Sequence, residues 1–283
     1  MPTPFLPSRA VLLAVLLALG QTVAPNATTS APTVTGSADL RPQLATWKLE
    51  PRDQGPRGTC SVFAVTQALE FALARHEGKA TRLSVEFLNW ASNDAIGARA
   101  DGGFFSDLEA GFRRHGICPE SDCPYAKEFD AALVPDKSAM ESARAVLSPT
   151  SNGQWRVTWI KAWNVTTGLS DQEIASIVAT LDAGLPVCAG MRWPKAASWQ
   201  GKRLGWADPA DVFDGHSVLL VGHRPDEATP GQRVFLVRNS NSAASDIEIT
   251  EAYLRAYVND ALWFAIDPRP SAPASAAGEG GKT

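Results

Sequence analysis

Residues 53–70 read DQGPRGTCSVFAVTQALE, a turn-forming approach that delivers Cys60 to the start of an apolar helix. Gly55, Pro56 and Gly58 exclude regular structure before the cysteine and let the backbone come close to whatever sits beside the sulfur. Beyond it, Val62, Phe63, Val65, Leu69, Phe71 and Leu73, with Ala64, Ala68 and Ala72 between them, leave nearly every face apolar. That pattern predicts a buried helix running to about Gly78. A thiol at a helix N-terminus lies against unpaired backbone N–H groups, whose partial positive charge favours the thiolate. A lone cysteine in a helical run is ordinarily a small buried hydrophobe. Chemistry at Cys60 therefore requires partners elsewhere in the chain.

The 283 residues, 45% of them hydrophobic, suffice for one large domain or two lobes sharing a cleft. A net charge of −4 leaves no basic surface of the extent a nucleic-acid partner needs, so none is expected. Arg9, the apolar run 10–19 and the small-x-small pattern Ala18-Leu19-Gly20 read as a secretory signal peptide over residues 1–20. The run is short for a membrane span, and no later segment is long and apolar enough for one. A secreted or periplasmic mature protein without a membrane span is expected. Residues 21–38, rich in Thr, Ala, Pro and Ser, read as a flexible leader, and residues 269–283 as a disordered tail.

Export would pair those of the four cysteines that can reach each other. Cys118 and Cys123 are close enough in sequence to close a small loop, whereas Cys188 falls in a predicted strand and reads as a buried thiol. His115, Cys118 and Cys123 have irregular spacing for zinc and no second ligand pair nearby, so neither metal nor cofactor is expected. Of the nine tryptophans, Trp155, Trp159 and Trp163 share one short segment and are read as core.

Further helices are predicted over 84–93, from the Gly102-Gly103 pair to Gly116, and over 136–147. After Asn152-Gly153 the character changes. Residues 154–163 alternate like a strand, and Ser170-Asp171-Gln172-Glu173 is a capping box opening a helix to about Gly184. Residues 186–192, 217–222, 234–237 and 262–266 are apolar and strand-like. A helical first half and a strand-rich second half make an α+β pattern of two lobes.

A thiol nucleophile needs a base to take its proton and a third group to orient that base. There are four histidines. His76 and His115 sit near predicted helix C-termini, where a cation suits the dipole, and His223 reads as a solvated strand end before Arg224. His216 differs, because Gly215 permits close approach and the strand that follows is rigid enough to aim the ring.

With these residues in hand, the chain resembles the papain-like cysteine peptidases, in particular their divergent bacterial-type members, over roughly residues 39–268. The motifs occur in family order: Gln54-Gly55, Gly58-x-Cys60 and Phe63-Ala64; Leu83-Ser84-x-Glu86-Phe87-Leu88; Gly102-Gly103; Gly116-Ile117 with Pro124-Tyr125. Asp214-Gly215-His216 before one apolar strand and Asn239-Ser240 after the next complete the set. His216 lies slightly farther downstream than the roughly 130–150 residues usual for these enzymes. The resemblance implies a papain-like two-lobed fold, with a helical lobe over 39–150 and an antiparallel β-barrel-like lobe over 151–268. It implies Cys60 as nucleophile paired with His216, Asn239 orienting the imidazole, and Gln54 with the Cys60 N–H as oxyanion hole. Gly102, Gly103 and Gly215 are implied to face an extended peptide or protein substrate, with Phe104 lining a side-chain pocket.

Three departures stand out. Ser61 replaces the Trp that usually follows the cysteine. Asn241 replaces the Trp that shields the Asn–His hydrogen bond, a cover that another aromatic, such as Trp199 or Trp206, would have to supply, and the usual glycine-rich stretch after it is absent. The short segment ahead of Gln54 leaves no room for the long inhibitory prosegment of many relatives. The implied activity is peptide-bond hydrolysis through an acyl-enzyme. The alternative is a catalytically silent papain-like scaffold that binds peptides or a partner protein.

Overall fold

The computed structural model describes residues 35–148, 153–194, 199–240 and 246–268. The predicted signal peptide, most of the leader, Asn241 and the tail lie outside the described residues. The chain begins with β1 (Ala38–Asp39) and α1 (Arg41–Thr46), followed by α2 (Cys60–Glu77). Cys60 is the first residue of α2, and Gly78 ends the helix at φ 72°, a left-handed cap open to glycine at little cost. Next comes α3 (Val85–Ile96), whose N-cap Ser84 accepts the Phe87 N–H at 2.9 Å, then α4 (Phe105–His115). In α5 (Lys137–Leu147) Asp136 accepts the Ala139 N–H at 2.8 Å. Caps of this kind contribute about 1 kcal/mol each.

The second half supplies β2 (Gly153–Lys161), α6 (Asp171–Asp182) with its reciprocal Ser170/Glu173 capping box, and β3 (Val187–Pro194). Then follow β4 (Trp199–Gln200), β5 (Arg203–Leu204), β6 (Val212–Pro225), β7 (Arg233–Arg238), β8 (Asp246–Thr250), α7 (Glu251–Tyr257) and β9 (Val258–Pro268).

These strands form one sheet in the order β2-β9-β3-β6-β7-β8-β5-β4, with β1 paired to β6. The fold is α+β and papain-like, but the expected antiparallel barrel-like lobe needs correction. The sheet is open: among the described residues β2 pairs only with β9 and β4 only with β5, so the ends do not meet. One pairing, β5 with β8, is parallel.

Alternation along the central strands explains their continuous apolar runs. Cys188, Leu219, Val221, Leu236 and Leu262 pack into one core with α2. Their neighbours Val187, Ala189, Val218, Leu220, Phe235, Val237 and Ala261 pack into a second core with α6 and α7. Both faces are buried, so residues of both parities must be apolar. Helix α2 is buried from Ser61 to Ala74 because it lies between the sheet and the other helices. The Sγ of Cys188, buried as expected, lies 3.4 Å from the Ala64 carbonyl. Placing α2 on this sheet brings the start of the helix to β6.

Candidate active site

The approach loop to Cys60 is anchored by Arg57, a residue the sequence reading passed over. Its guanidinium forks onto Glu86 of α3 at 2.5 and 3.1 Å and onto Asp101 at 2.7 Å, and it donates to the Ala126 carbonyl at 2.8 Å. It also lies 4.6 Å from the centre of the Tyr125 ring. The Arg57 side chain is 3% exposed, and planar, bidentate pairing of this kind suits arginine alone among the cations. Tyr125 in turn bonds the loop twice, through Thr59 Oγ1 at 2.7 Å and the Gln54 carbonyl at 2.9 Å. The loop that leads to Cys60 is thus pinned to α3 and to the segment before Gly102.

Gly102 is shaped by the same packing. Its φ is +74°, a Cβ there would overlap the Gly58 carbonyl, and its N–H donates to Asn89 Oδ1 at 3.0 Å. That amide is committed inside the chain, so Gly102 acts by letting two loops meet rather than by lining the cleft. Gly103 does line it, with Phe104, Cys60, Gly215 and His216, around a cavity of about 230 Å³. Among the described residues neither the Gly103 N–H nor its C=O has a partner within the chain. A Cβ on Gly215 would meet nothing within 4 Å, so that glycine faces open space.

His216 lies in β6 opposite Met191 of β3. Its Nε2 is 2.8 Å from Asn239 Oδ1, and the same oxygen accepts the Ser240 N–H at 2.9 Å. Two donors on one oxygen fix the amide orientation, so Nε2 carries the proton and Nδ1 is left as the base. The structure thus brings Cys60 and His216 onto one cavity, with Asn239 fixing the ring. Among the described residues the aromatic against the His216 ring is neither Trp199 nor Trp206. Trp193 of β3 packs 4.5 Å from it, tilted by 59°, and Trp199 lies 6.0 Å beyond Trp193, while Trp206 lies against Tyr257. Trp193 covers the imidazole from the strand beside it, a pairing that no sequence spacing announces.

Gln54 is held across its own turn. Its Nε2 donates to the Arg57 carbonyl at 2.8 Å, and its Oε1 accepts from Ser240 Oγ at 2.5 Å. One Nε2 hydrogen is left over. The Ser240 contact, with Gln54 N–H to Ser240 C=O at 2.8 Å, links the loop before the cysteine to the residue after Asn239.

Electrostatics corrects one expectation. Burial pushes the Cys60 thiol up; N–H groups of Ser217, Ser61 and Cys60 itself, with the Ser217 side chain, pull it back without cancelling that effect. The helix N-terminus does act on the sulfur, but desolvation outweighs it. Burial likewise pushes His216 down, against the Asn239 hydrogen bond that raises it. Among the described residues no hydrogen bond joins Cys60 Sγ to the imidazole; such bonds are often long without substrate and tighten when it binds.

The other sequence readings resolve as follows. His223 is not a solvated strand end: pairing with Ala38 of β1 buries it completely, and its Nε2 meets Asp182 at 2.9 Å. Cys118 and Cys123, expected to bridge, are free thiols beside Ser84, and His115 turns to Asp94 at 2.7 Å. Trp155 is core, but Trp163 is 48% exposed and lines the cleft.

A family model described as papain family cysteine protease matches residues 35–254. The chain belongs to the papain family of cysteine proteases. Among curated relatives it is 25% identical over 221 residues to cysteine proteinase 2 of Zea mays, covering 74% of this chain and 56% of that protein. It is 26% identical over 185 residues to the gamete and mating-type specific protein A of Dictyostelium discoideum, covering 65% and 36%. The chain thus spans roughly a third to just over half of these proteins' length. Among solved structures, this papain-family chain is similar to xylellain, a cysteine protease from Xylella fastidiosa, at TM-score 0.61 and 19% identity over 84% of this chain and 89% of that one. It is also similar to digestive procathepsin L 3 of the Tenebrio molitor larval midgut, at TM-score 0.56 and 22% identity over 86% and 73%.

Proposed function

We propose that this protein is a secreted cysteine peptidase that hydrolyses peptide bonds through a Cys60 acyl-enzyme. The observation that carries the reading is the His216 Nε2–Asn239 Oδ1 hydrogen bond, which leaves Nδ1 as the free base of a histidine lining the same cavity as Cys60. In this mechanism Nδ1 takes the Cys60 proton while the sulfur attacks the scissile carbonyl carbon. The oxyanion accepts the Cys60 N–H, which among the described residues has no backbone acceptor, and the spare Nε2 hydrogen of Gln54. The imidazolium then protonates the leaving amine, and a water activated by the same nitrogen hydrolyses the thioester.

The raised thiol and the lowered imidazole are compatible with this chemistry. Each group resists charging alone in a buried site, but proton transfer from Cys60 to His216 leaves the pair with no net charge. Gly103 and Gly215 border the path of an extended peptide, with Gly103 offering backbone groups for strand-like pairing. Export rests on Arg9 and the apolar run 10–19. The test is hydrolysis of fluorogenic peptides by the mature protein beside Cys60→Ala. Turnover lost in the variant supports the peptidase; equal turnover in both would sink it.

A further inference from the structure

Gln54 serves the oxyanion only if its spare Nε2 hydrogen points into the cavity, and what aims that hydrogen lies outside the cavity. A carboxamide is planar, so two bonds to it fix where the remaining hydrogen points. One bond runs from Ser240 Oγ to Oε1 at 2.5 Å, and the other from Nε2 to the Arg57 carbonyl at 2.8 Å. Arg57 lies in the approach to Cys60, which no helix or strand includes. No ladder of backbone bonds therefore holds its carbonyl. Tyr125 grips the loop on either side, at Gln54 and Thr59, and between those two points the anchor is the Arg57 side chain.

All three guanidinium nitrogens are occupied. Nε donates to both Asp101 oxygens at 3.2 and 3.1 Å, Nη1 to Glu86 and the Ala126 carbonyl at 2.5 and 2.8 Å, and Nη2 to Glu86 and Asp101 at 3.1 and 2.7 Å. The two acids are themselves held. Glu86 sits on α3 and accepts the Ala126 N–H at 3.0 Å, while Asn89, three residues on along the same helix, grips the Asp101 segment through the Ala100 carbonyl and the Gly102 N–H at 3.3 and 3.0 Å. Nothing of the guanidinium is left for a substrate, and Arg57 is not among the residues that line the cavity. Whatever it contributes to the reaction passes through another residue. A lysine at this position would keep the charge but lose the fork, because an ammonium is a point charge that cannot pair with two carboxylates at fixed angles.

We infer that Arg57 is a positioning residue for peptide-bond hydrolysis: its fork on Glu86 and Asp101 holds in place the carbonyl that aims the Gln54 amide at the oxyanion. The inference rests on the peptidase reading for turnover, and one arm of its test needs none. Two consequences separate this role from general support of the fold. The oxyanion exists in the transition state and not in the bound substrate, so a misaimed donor lowers kcat and leaves KM. Because Arg57 works through Gln54, its effect also disappears once Gln54 has no amide to aim. A residue that only supported the fold would add its own loss to that of Gln54.

The experiment is a double-mutant cycle on the mature protein with a fluorogenic peptide, using Gln54→Ala and Arg57→Lys, the second of which keeps a charge beside Glu86. Gln54→Ala should lower kcat by about a hundred- to a thousandfold, the range for loss of one oxyanion donor. Arg57→Lys should lower it by about ten- to a hundredfold, with KM in both variants within about twofold of wild type. Adding Arg57→Lys to Gln54→Ala should cost less than about a further twofold. Asp101→Asn, which spares the Glu86 pair, should show the same coupling with a smaller loss, and it carries the cycle if the lysine variant does not fold. The arm without turnover is NMR of the Gln54 side-chain amide, assigned by its disappearance in Gln54→Ala; its resonances should move in Arg57→Lys and in Asp101→Asn. Losses that multiply across the cycle, a rise in KM without a fall in kcat, or Gln54 resonances that keep their wild-type positions overturn the inference. A wild type that turns over no peptide removes the peptidase reading instead, and the resonances then decide alone whether Arg57 places Gln54.

Discussion

Asparagine at position 260 should gain stability relative to wild type as pH rises from acid to neutral. Burial raises the Asp260 carboxyl from 3.8 to about 6. Below the unfolded value the group is protonated in both states and contributes no pH dependence. As pH rises from 3.8 toward 6, the unfolded chain ionises first, so the folded state loses stability. Above the folded value the full penalty applies, about 3 kcal/mol for a displacement of that size. Asparagine keeps an acceptor near the Gly190 N–H and never ionises; its extra amide hydrogens bring a cost that does not vary with pH. Thermal or urea unfolding of wild type and Asp260→Asn at about pH 4 and pH 7.5 should therefore show a difference that grows by about 2.5 kcal/mol, or roughly 5–10 °C in Tm for a chain of this size. A difference that stays constant between the two pH values would refute the reasoning, because it would mean that Asp260 titrates alike in both states.

Alkylation of Cys60 by iodoacetamide, followed by mass spectrometry, should proceed below the ordinary thiol range in wild type. In His216→Ala it should rise only above that range, because burial pushes the unpaired thiol up; coincident profiles would exclude a Cys60–His216 pair. Trp193→Ala should lower kcat/KM by about tenfold, the equivalent of one weakened hydrogen bond. Removing the ring 4.5 Å from His216 should also move the imidazole, which burial holds below its ordinary 6.5, back toward that value by NMR titration. Gly102→Ala forces a Cβ onto the Gly58 carbonyl at φ +74° and should cost about 1–3 kcal/mol in urea unfolding, with a further loss of turnover as the Cys60 loop shifts; wild-type stability would show that the loops do not meet there.

Local signals carried much of this fold. Helix α2, the Ser84, Asp136 and Ser170 caps, and the apolar strands around residues 187, 219 and 236 were legible because each is written in contiguous sequence, by periodicity or by a capping residue. Strands β4 and β5 were not, since two residues have no period. Sheet closure was equally out of reach, because strand order depends on pairings between distant segments. The same division runs through the site. Cys60, His216 and Asn239 announce themselves by neighbours in the chain, whereas Trp193 reaches His216 only through the β3–β6 pairing, and Arg57 matters only once Glu86 and Asp101 converge on it. For Asp260 a local hint existed: a charged residue at the head of the apolar run 261–266. Its meaning required Gly190 on the neighbouring strand.

The three ionisable groups on the cavity share one physical constraint. Burial favours the neutral form of each, raising Cys60 and Asp260 and lowering His216. Near neutral pH Asp260 is the one that has passed its own value, so the resting cavity carries a thiol, a neutral imidazole and a carboxylate. A thiolate formed by losing its proton to solvent would leave an unbalanced charge in a poorly solvated space, whereas transfer of the proton to His216 adds no net charge. The pair exchange is therefore the route to a nucleophile that this cavity tolerates, and the Asn239 hydrogen bond that stabilises the protonated imidazole works in the same direction.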